Sequence, residues 1–157
     1  MTKQTDSSGV RLFPPVIPVG AIALAFLFQW VAPVRIAGSD RRLTLLIGSL
    51  LLAAAVGLIA WTAAIMFRSG TTPNPTRPTA ALVFRGPFRV TRNPMYLALE
   101  FLCIGVGLVA NTLWPIVIAL PAAFALRRLV IDKEERYLER KFGPEYLDYK
   151  ARVRRWL

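Results

Sequence analysis

Histidine is absent from the 157 residues, and cysteine occurs once, as Cys103. The first absence removes an imidazole base, His-built metal sites and Ser–His or Cys–His nucleophilic chemistry. The second removes a disulfide framework and a cysteine-built metal site. No metal is expected. Acid is also scarce, with 9 Asp and Glu against 20 Lys and Arg, for a net charge of +11. No Gly-x-Gly-x-x-Gly follows a strand-like run, which closes the soluble Rossmann-type route to a nucleotide cofactor. Gly105-Val106-Gly107 lies within an apolar helical run and is not such a loop. Charge is missing altogether from Leu12–Val34 and from Leu43–Phe67, and Asn93–Leu126 carries only Glu100.

What remains is apolar and clumped. Hydrophobic residues make up 55% of the chain, above the roughly 45–50% of soluble domains counted more broadly. A spanning helix needs about 20 apolar residues, so the first two runs read as one span each. The third run holds 34 residues, and Asn111-Thr112 with Trp114-Pro115 supplies a turn in its middle. The expectation is an all-α integral membrane bundle, one domain over 1–157, with spans at 12–34, 43–67, 94–110 and 113–131. Residues 1–10 are expected to be disordered. Pro14, Pro15 and Pro18 and the length of the first run argue against a signal peptide. Three prolines in Pro73–Pro78 predict a loop, and Pro94 is a good first residue for the third helix. The tail 132–157 reads as an amphipathic helix to Phe142, a stop at Gly143 and a restart at Pro144. It is expected on the membrane surface or against the helix ends.

The placement of charge predicts the topology. Arg68, Arg77, Arg85, Arg89 and Arg92 share one loop without an acid, and the tail from Arg127 holds ten basic and six acidic residues. With four spans these segments lie on one side with the N-terminus, and the positive-inside rule makes that side cytoplasmic. Arginine outnumbers lysine 16 to 4, which with the short chain points to a bacterial inner membrane. The basic clusters are short and flank apolar runs, so they fit anionic lipid better than nucleic acid.

Asn93, Tyr96, Glu100, Cys103 and Gly107 recur at steps of three and four and so share a helical face. A carboxylate this deep costs about 2.5–3.5 kcal/mol unless paired or facing a polar cavity. Glu100 is therefore either a structural group, paired or protonated, or the lining of a pocket. Asn93 and Tyr96 favour the pocket. Gly105 and Gly107 read as close-packing positions. In the tail, Glu134 and Glu135 point about 100° apart on a helix. Alone they would read as a solvated charged face.

Together the two clusters say more. Gly86-Pro87-Phe88-Arg89-Val90-Thr91-Arg92-Asn93-Pro94-Met95-Tyr96 is followed by Glu134-Glu135, Leu138, Phe142-Gly143, Tyr146 and Tyr149. This pattern resembles the membrane methyltransferase superfamily of isoprenylcysteine carboxyl methyltransferase and phosphatidylethanolamine N-methyltransferase. It covers about residues 68–155. Asn93 stands where the isoprenylcysteine branch has His, while the phospholipid branch shows Asn-Pro-Met-Tyr. Ala98 replaces a common Gly, and Val153-Arg154-Arg155 stands where Val-Pro-Arg is usual.

The resemblance implies S-adenosylmethionine bound between the helix ends and the tail. It implies a lipophilic acceptor: an isoprenylcysteine-type carboxylate, a phospholipid amine, or a hydrophobic thiol or acid. The cofactor-binding candidates are Arg92, Asn93, Pro94, Tyr96, Leu97, Glu134, Glu135 and Tyr146. The catalytic candidates are Glu100, Arg92 and Asn93, with Glu100 as the base for an acceptor that must lose a proton. The competing expectations are a non-catalytic helical membrane subunit and an inactive relative.

Overall fold

The computed structural model describes residues 8–10, 13–36, 38 and 40–157. These form α1 Val16–Val31, α2 Arg41–Arg68, α3 Pro94–Ala110, α4 Trp114–Leu126, α5 Asp132–Phe142 and α6 Pro144–Arg152. A 3-10 turn, Gly86–Arg89, precedes α3. No strand occurs among the described residues, in line with the all-α expectation. Residues 1–7, on which most of the disorder expectation rests, and the expected helix start at Leu12 lie outside the described residues. Within the rest of that stretch, Ser8 and Val10 are buried. Ser8 Oγ donates to the Pro75 carbonyl, and Val10 joins an apolar cluster with Tyr96, Leu99, Leu126, Val130 and Ile131.

The helix ends follow local chemistry. The Asp40 side chain caps α2 by accepting from Arg42 N at 2.8 Å. Pro94 opens α3, and Asn111 closes it in the left-handed region at φ 52°. The prolines at 14 and 15 trim the start of α1, so it is shorter than the expected 12–34. The span expected over 113–131 runs on without a break into the helix expected in the tail. A π turn, Arg127–Ile131, joins α4 to α5, making one helix Trp114–Phe142 of 29 residues. No Gly or Pro interrupts it between Pro121 and Gly143, and Arg127 and Arg128 are good helix formers.

Two helices, Arg41–Arg68 and Trp114–Phe142, are long and apolar enough to cross a membrane. α1 and α3 have 16 and 17 residues, about 24 and 26 Å at 1.5 Å per residue. Both fall short of a hydrocarbon core about 30 Å thick. The packing is inverted relative to a water-soluble bundle. α1 buries Pro18 and Ala25, and α2 buries Thr44, Gly48, Ala55 and Thr62. Trp30, Leu50, Val56 and Phe67 face outward. Small residues inside and large apolar ones outside suit a lipid surround.

α3 is central, packing on α2, α4 and α1. Its contact with α2 is backbone to backbone: a Cβ added at Gly105 would lie 3.1 Å from Gly48 O, and one at Gly48 3.0 Å from Gly105 O. The close-packing reading of these small residues is thus the observed one. At the opposite end of α3 from the Asn111 turn, α5 and α6 fold across its start. There the final residues Val153–Leu157 return to the chain just before Pro94.

Candidate functional site

The approach to α3 is fixed first. Gly86 sits at φ +57°, and a Cβ there would come within 2.3 Å of Ile65 Cδ1, so only glycine turns the chain this tightly. Thr91, Arg92 and Asn93 then tie down the tail. Arg92 N donates to Arg154 O at 3.0 Å. Thr91 Oγ1 donates to Arg155 O at 2.9 Å, and Asn93 Nδ2 donates to the same carbonyl at 3.0 Å. The tail therefore packs against the helix ends, the second of the two positions expected for it.

The adjacent acids have different fates. Glu135 is buried and receives Arg155 through Nε at 3.0 Å and Nη2 at 2.6 Å. Arg92 Nη2 approaches it at 3.4 Å and Lys150 Nζ at 4.0 Å. Arg155 also meets Asp132 at 3.0 Å. Glu134 instead accepts from the Tyr96 hydroxyl at 2.7 Å, a neutral donor. Arg92 is only partly used: its Nε and Nη1 atoms are buried without a hydrogen-bond partner. Two guanidinium nitrogens, carrying three N–H groups with nothing to donate to, are a costly arrangement unless a ligand takes them.

Arg92, Glu134 and Glu135 line a cavity of about 70 Å³ with Asn93, Met66, Phe88, Leu138 and Tyr146. Its roof is the proline-bearing loop, through Thr72, Pro75, Thr79 and Ala81–Val83. The loop is pinned by Thr79 N donating to Tyr137 Oη at 3.1 Å. Tyr149 Oη donates to Phe88 O at 2.7 Å, and its ring packs against Phe84 at 4.8 Å between centroids, tilted by 56°. Burial raises the Tyr149 phenol to about 12, against a smaller opposing pull from Arg92. Burial, reinforced by Glu135, raises Tyr146 further. Both tyrosines remain protonated donors through the physiological range.

Beneath the cavity lies a narrow neck lined by Arg92, Asn93, Pro94, Met95, Tyr96 and Glu134. Pro73, Met95 and Tyr96 also line an apolar pocket of about 190 Å³ with Phe13, Ile59 and Leu99. A charged chamber, a neck at the Tyr96–Glu134 pair and an apolar pocket therefore adjoin in series.

The structure brings Arg92, Asn93, Glu134, Glu135 and Tyr146 together around the chamber, and Pro94 and Tyr96 around the neck. It does not bring Leu97 and Glu100 there. They line a different groove, between α3 and α4. Asn93 is the cap of α3, with φ −128° and ψ 55°. Tyr96 and Glu100 are one turn apart within the helix, but Tyr96 reaches Glu134 while Glu100 stands on the groove towards α4. Sequence reasoning noted Val153-Arg154-Arg155, Thr91 and the proline loop but gave none of them a role in the site. One signal was present: all four tyrosines, at 96, 137, 146 and 149, gather at this end.

Outward-facing apolar helices, two of them long enough to cross a membrane, suit an integral membrane protein, and a charged cavity lies at one end of the bundle. Its kind is given by sequence comparison. The pattern of the phospholipid methyltransferase family matches residues 43–145, from α2 to the start of α6, and the chain belongs to that family. A 32-residue segment is 56% identical to an "Uncharacterized protein" of Haemophilus influenzae (strain ATCC 51907 / DSM 11121 / KW20 / Rd). The segment is 20% of this chain and 51% of that protein, so the chain spans about half the length of the curated relative it matches. No solved structure matches.

Proposed function

We propose that the protein transfers a methyl group from S-adenosylmethionine to a lipophilic acceptor at the membrane–cytosol boundary. Arg92 carries this reading, with two buried guanidinium nitrogens that have no partner, in the cavity that Glu134 also lines. A guanidinium and a carboxylate in one chamber suit the carboxylate and ammonium of the cofactor's amino-acid end. Phe88, Met66 and Leu138 offer apolar surface to its base, and Tyr146 a buried hydroxyl. Glu135 has another task. Held by Arg155 and Arg92, it fixes the tail and orients the arginine.

When bound, the cofactor supplies a methyl on a sulfonium, which leaves as a neutral thioether while an acceptor lone pair takes the methyl. The chain's contribution is positioning, which can supply about 7–11 kcal/mol of barrier lowering. The chamber holds the donor, the apolar pocket of Phe13, Ile59 and Leu99 holds the acceptor's hydrocarbon, and the two adjoin at Tyr96. A chamber of about 70 Å³ is too small for a nucleoside with the roof loop down. The loop therefore rises as the ligand enters.

In this reading α1 and α3 complete four spans by letting flanking residues sit in the headgroup region. The basic loop and both termini lie in the cytoplasm, and the membrane is a bacterial inner membrane. The acceptor is a carboxylate, an amine or a thiol on an apolar body. Calorimetric titration of the full chain in nanodiscs with S-adenosylhomocysteine tests the reading. Binding is expected in the wild type and is expected to weaken about 100-fold in Glu134→Ala. No heat and no thermal shift in the wild type would leave a non-catalytic membrane protein or an inactive relative.

A further inference from the structure

The buried threonines of this chain are mostly spoken for. Thr44, on α2, shows the ordinary use: its hydroxyl donates to Arg41 O at 3.0 Å. Thr91 and Thr112 donate to Arg155 O and Gln29 at 2.9 and 2.7 Å. Thr62, also on α2 and fully buried, differs. Its Oγ1 has no hydrogen-bond partner among the described residues. A buried hydroxyl left unpaired is a cost that an apolar residue of the same shape would avoid.

Its position gives the cost a use. Ile59, Thr62 and Met66 follow one another at steps of three and four and so share a face of α2. Ile59 lines the apolar pocket, Thr62 the neck, and Met66 both neck and chamber. The neck encloses about 40 Å³, room for a small group and not for a ring. Oxygen atoms collect there. Besides Thr62 Oγ1 there are the Glu134 carboxylate and the Tyr96 hydroxyl, which donates to Glu134 and can still accept. Arg92 lines neck and chamber alike, so the neck carries no excess of negative charge and selects by oriented lone pairs.

We propose that Thr62 is a binding residue for the group that is transferred: at the neck its oxygen accepts from the methyl of S-adenosylmethionine. The inference rests on the methyltransferase reading and adds to it a residue on α2. A sulfonium withdraws electrons from its methyl, whose C–H bonds then serve as weak donors. The free lone pairs of Thr62 lie where chamber and apolar pocket adjoin, which is where a methyl passing between them must stand. Thr62 thereby tells the methyl donor from S-adenosylhomocysteine, which leaves the hydroxyl unpaired again. The fold gives up a little stability at this position and gains selectivity for the donor.

The test titrates the full chain in nanodiscs, by calorimetry, with S-adenosylhomocysteine and with sinefungin. Sinefungin carries an amine where the methyl would stand, a stronger donor to the same oxygen. Thr62→Val keeps the shape and removes the hydroxyl. It is expected to weaken sinefungin about tenfold and to leave S-adenosylhomocysteine unchanged. Thr62→Ser is expected to restore sinefungin, and Thr62→Ala to repeat the valine result, so the test does not hang on one variant. Without ligand, the thermal midpoint of Thr62→Val is expected to equal or exceed that of the wild type, because the hydroxyl has no partner to lose. Equal weakening of both ligands, with a lower midpoint, would make the hydroxyl structural and overturn the proposal. Unchanged sinefungin affinity in Thr62→Val would overturn it too, while S-adenosylhomocysteine binding would leave the methyltransferase reading standing. Failure of the wild type to bind either ligand would overturn both.

Discussion

The two ends of the bundle treat their polar groups in opposite ways. At the Asn111 end every group named here has a partner inside the chain. Arg41 donates to Leu108 O and Val109 O at 3.3 and 2.8 Å, satisfying carbonyls at the end of α3. Thr112 Oγ1 donates to Gln29 at 2.7 Å, and Trp114 Nε1 to Ala32 O at 2.8 Å. At the Pro94 end Arg92 keeps two nitrogens without a partner, and Glu134 rests on a single tyrosine hydroxyl. A fold that can close one end this fully has no packing reason to leave the other open. The leftover groups at the Pro94 end are the ones a ligand would use.

The contrast between Glu135 and Glu134 repeats this within one turn of helix, and mutation separates them. Glu135→Ala leaves Arg155 and Arg92 without their buried counter-charge. It is expected to cost about 3–5 kcal/mol of stability, read as a large loss of thermal midpoint in detergent. Glu134→Ala is expected to leave stability nearly unchanged and weaken S-adenosylhomocysteine about 100-fold, or about 2.7 kcal/mol. If both variants lose stability alike, the division of labour between neighbours fails.

The division was only half legible beforehand. The pattern of apolar runs located the helices because burial or lipid exposure follows hydropathy directly. It could not show that Trp114–Phe142 is continuous, since Arg127 and Arg128 end an apolar run without ending a helix. Adjacent glutamates announced a site, but which of them is consumed depends on Arg155, twenty residues on. The return of the tail that brings it there is a tertiary fact. That Glu100 stands on the groove towards α4 rather than in the chamber depends on how the neighbouring helices pack, which spacing along one helix does not show.

Smaller effects sharpen the comparison of the two ends. Arg41→Ala is expected to lower stability by about 1 kcal/mol with no change in cofactor affinity, because it belongs to the closed end. Binding calorimetry on that variant checks it. Smallest is the alkaline limb. Tyr146 and Tyr149 hold their protons more tightly folded than unfolded, so their contribution is full below the ordinary phenol value near 10. It declines as pH rises from there through about 12. Tyr149→Phe is expected to flatten the fall of thermal midpoint across that window.

The most direct measurement pairs Arg92 with the ligand's carboxylate. S-adenosylhomocysteine and its decarboxylated analogue are titrated into wild type and Arg92→Ala in nanodiscs. The account predicts that losing the carboxylate weakens binding about 100-fold in the wild type and hardly at all in Arg92→Ala. Equal losses in both proteins would show that the unpartnered guanidinium does not meet that group, and would contradict the assignment of the open end as the cofactor site.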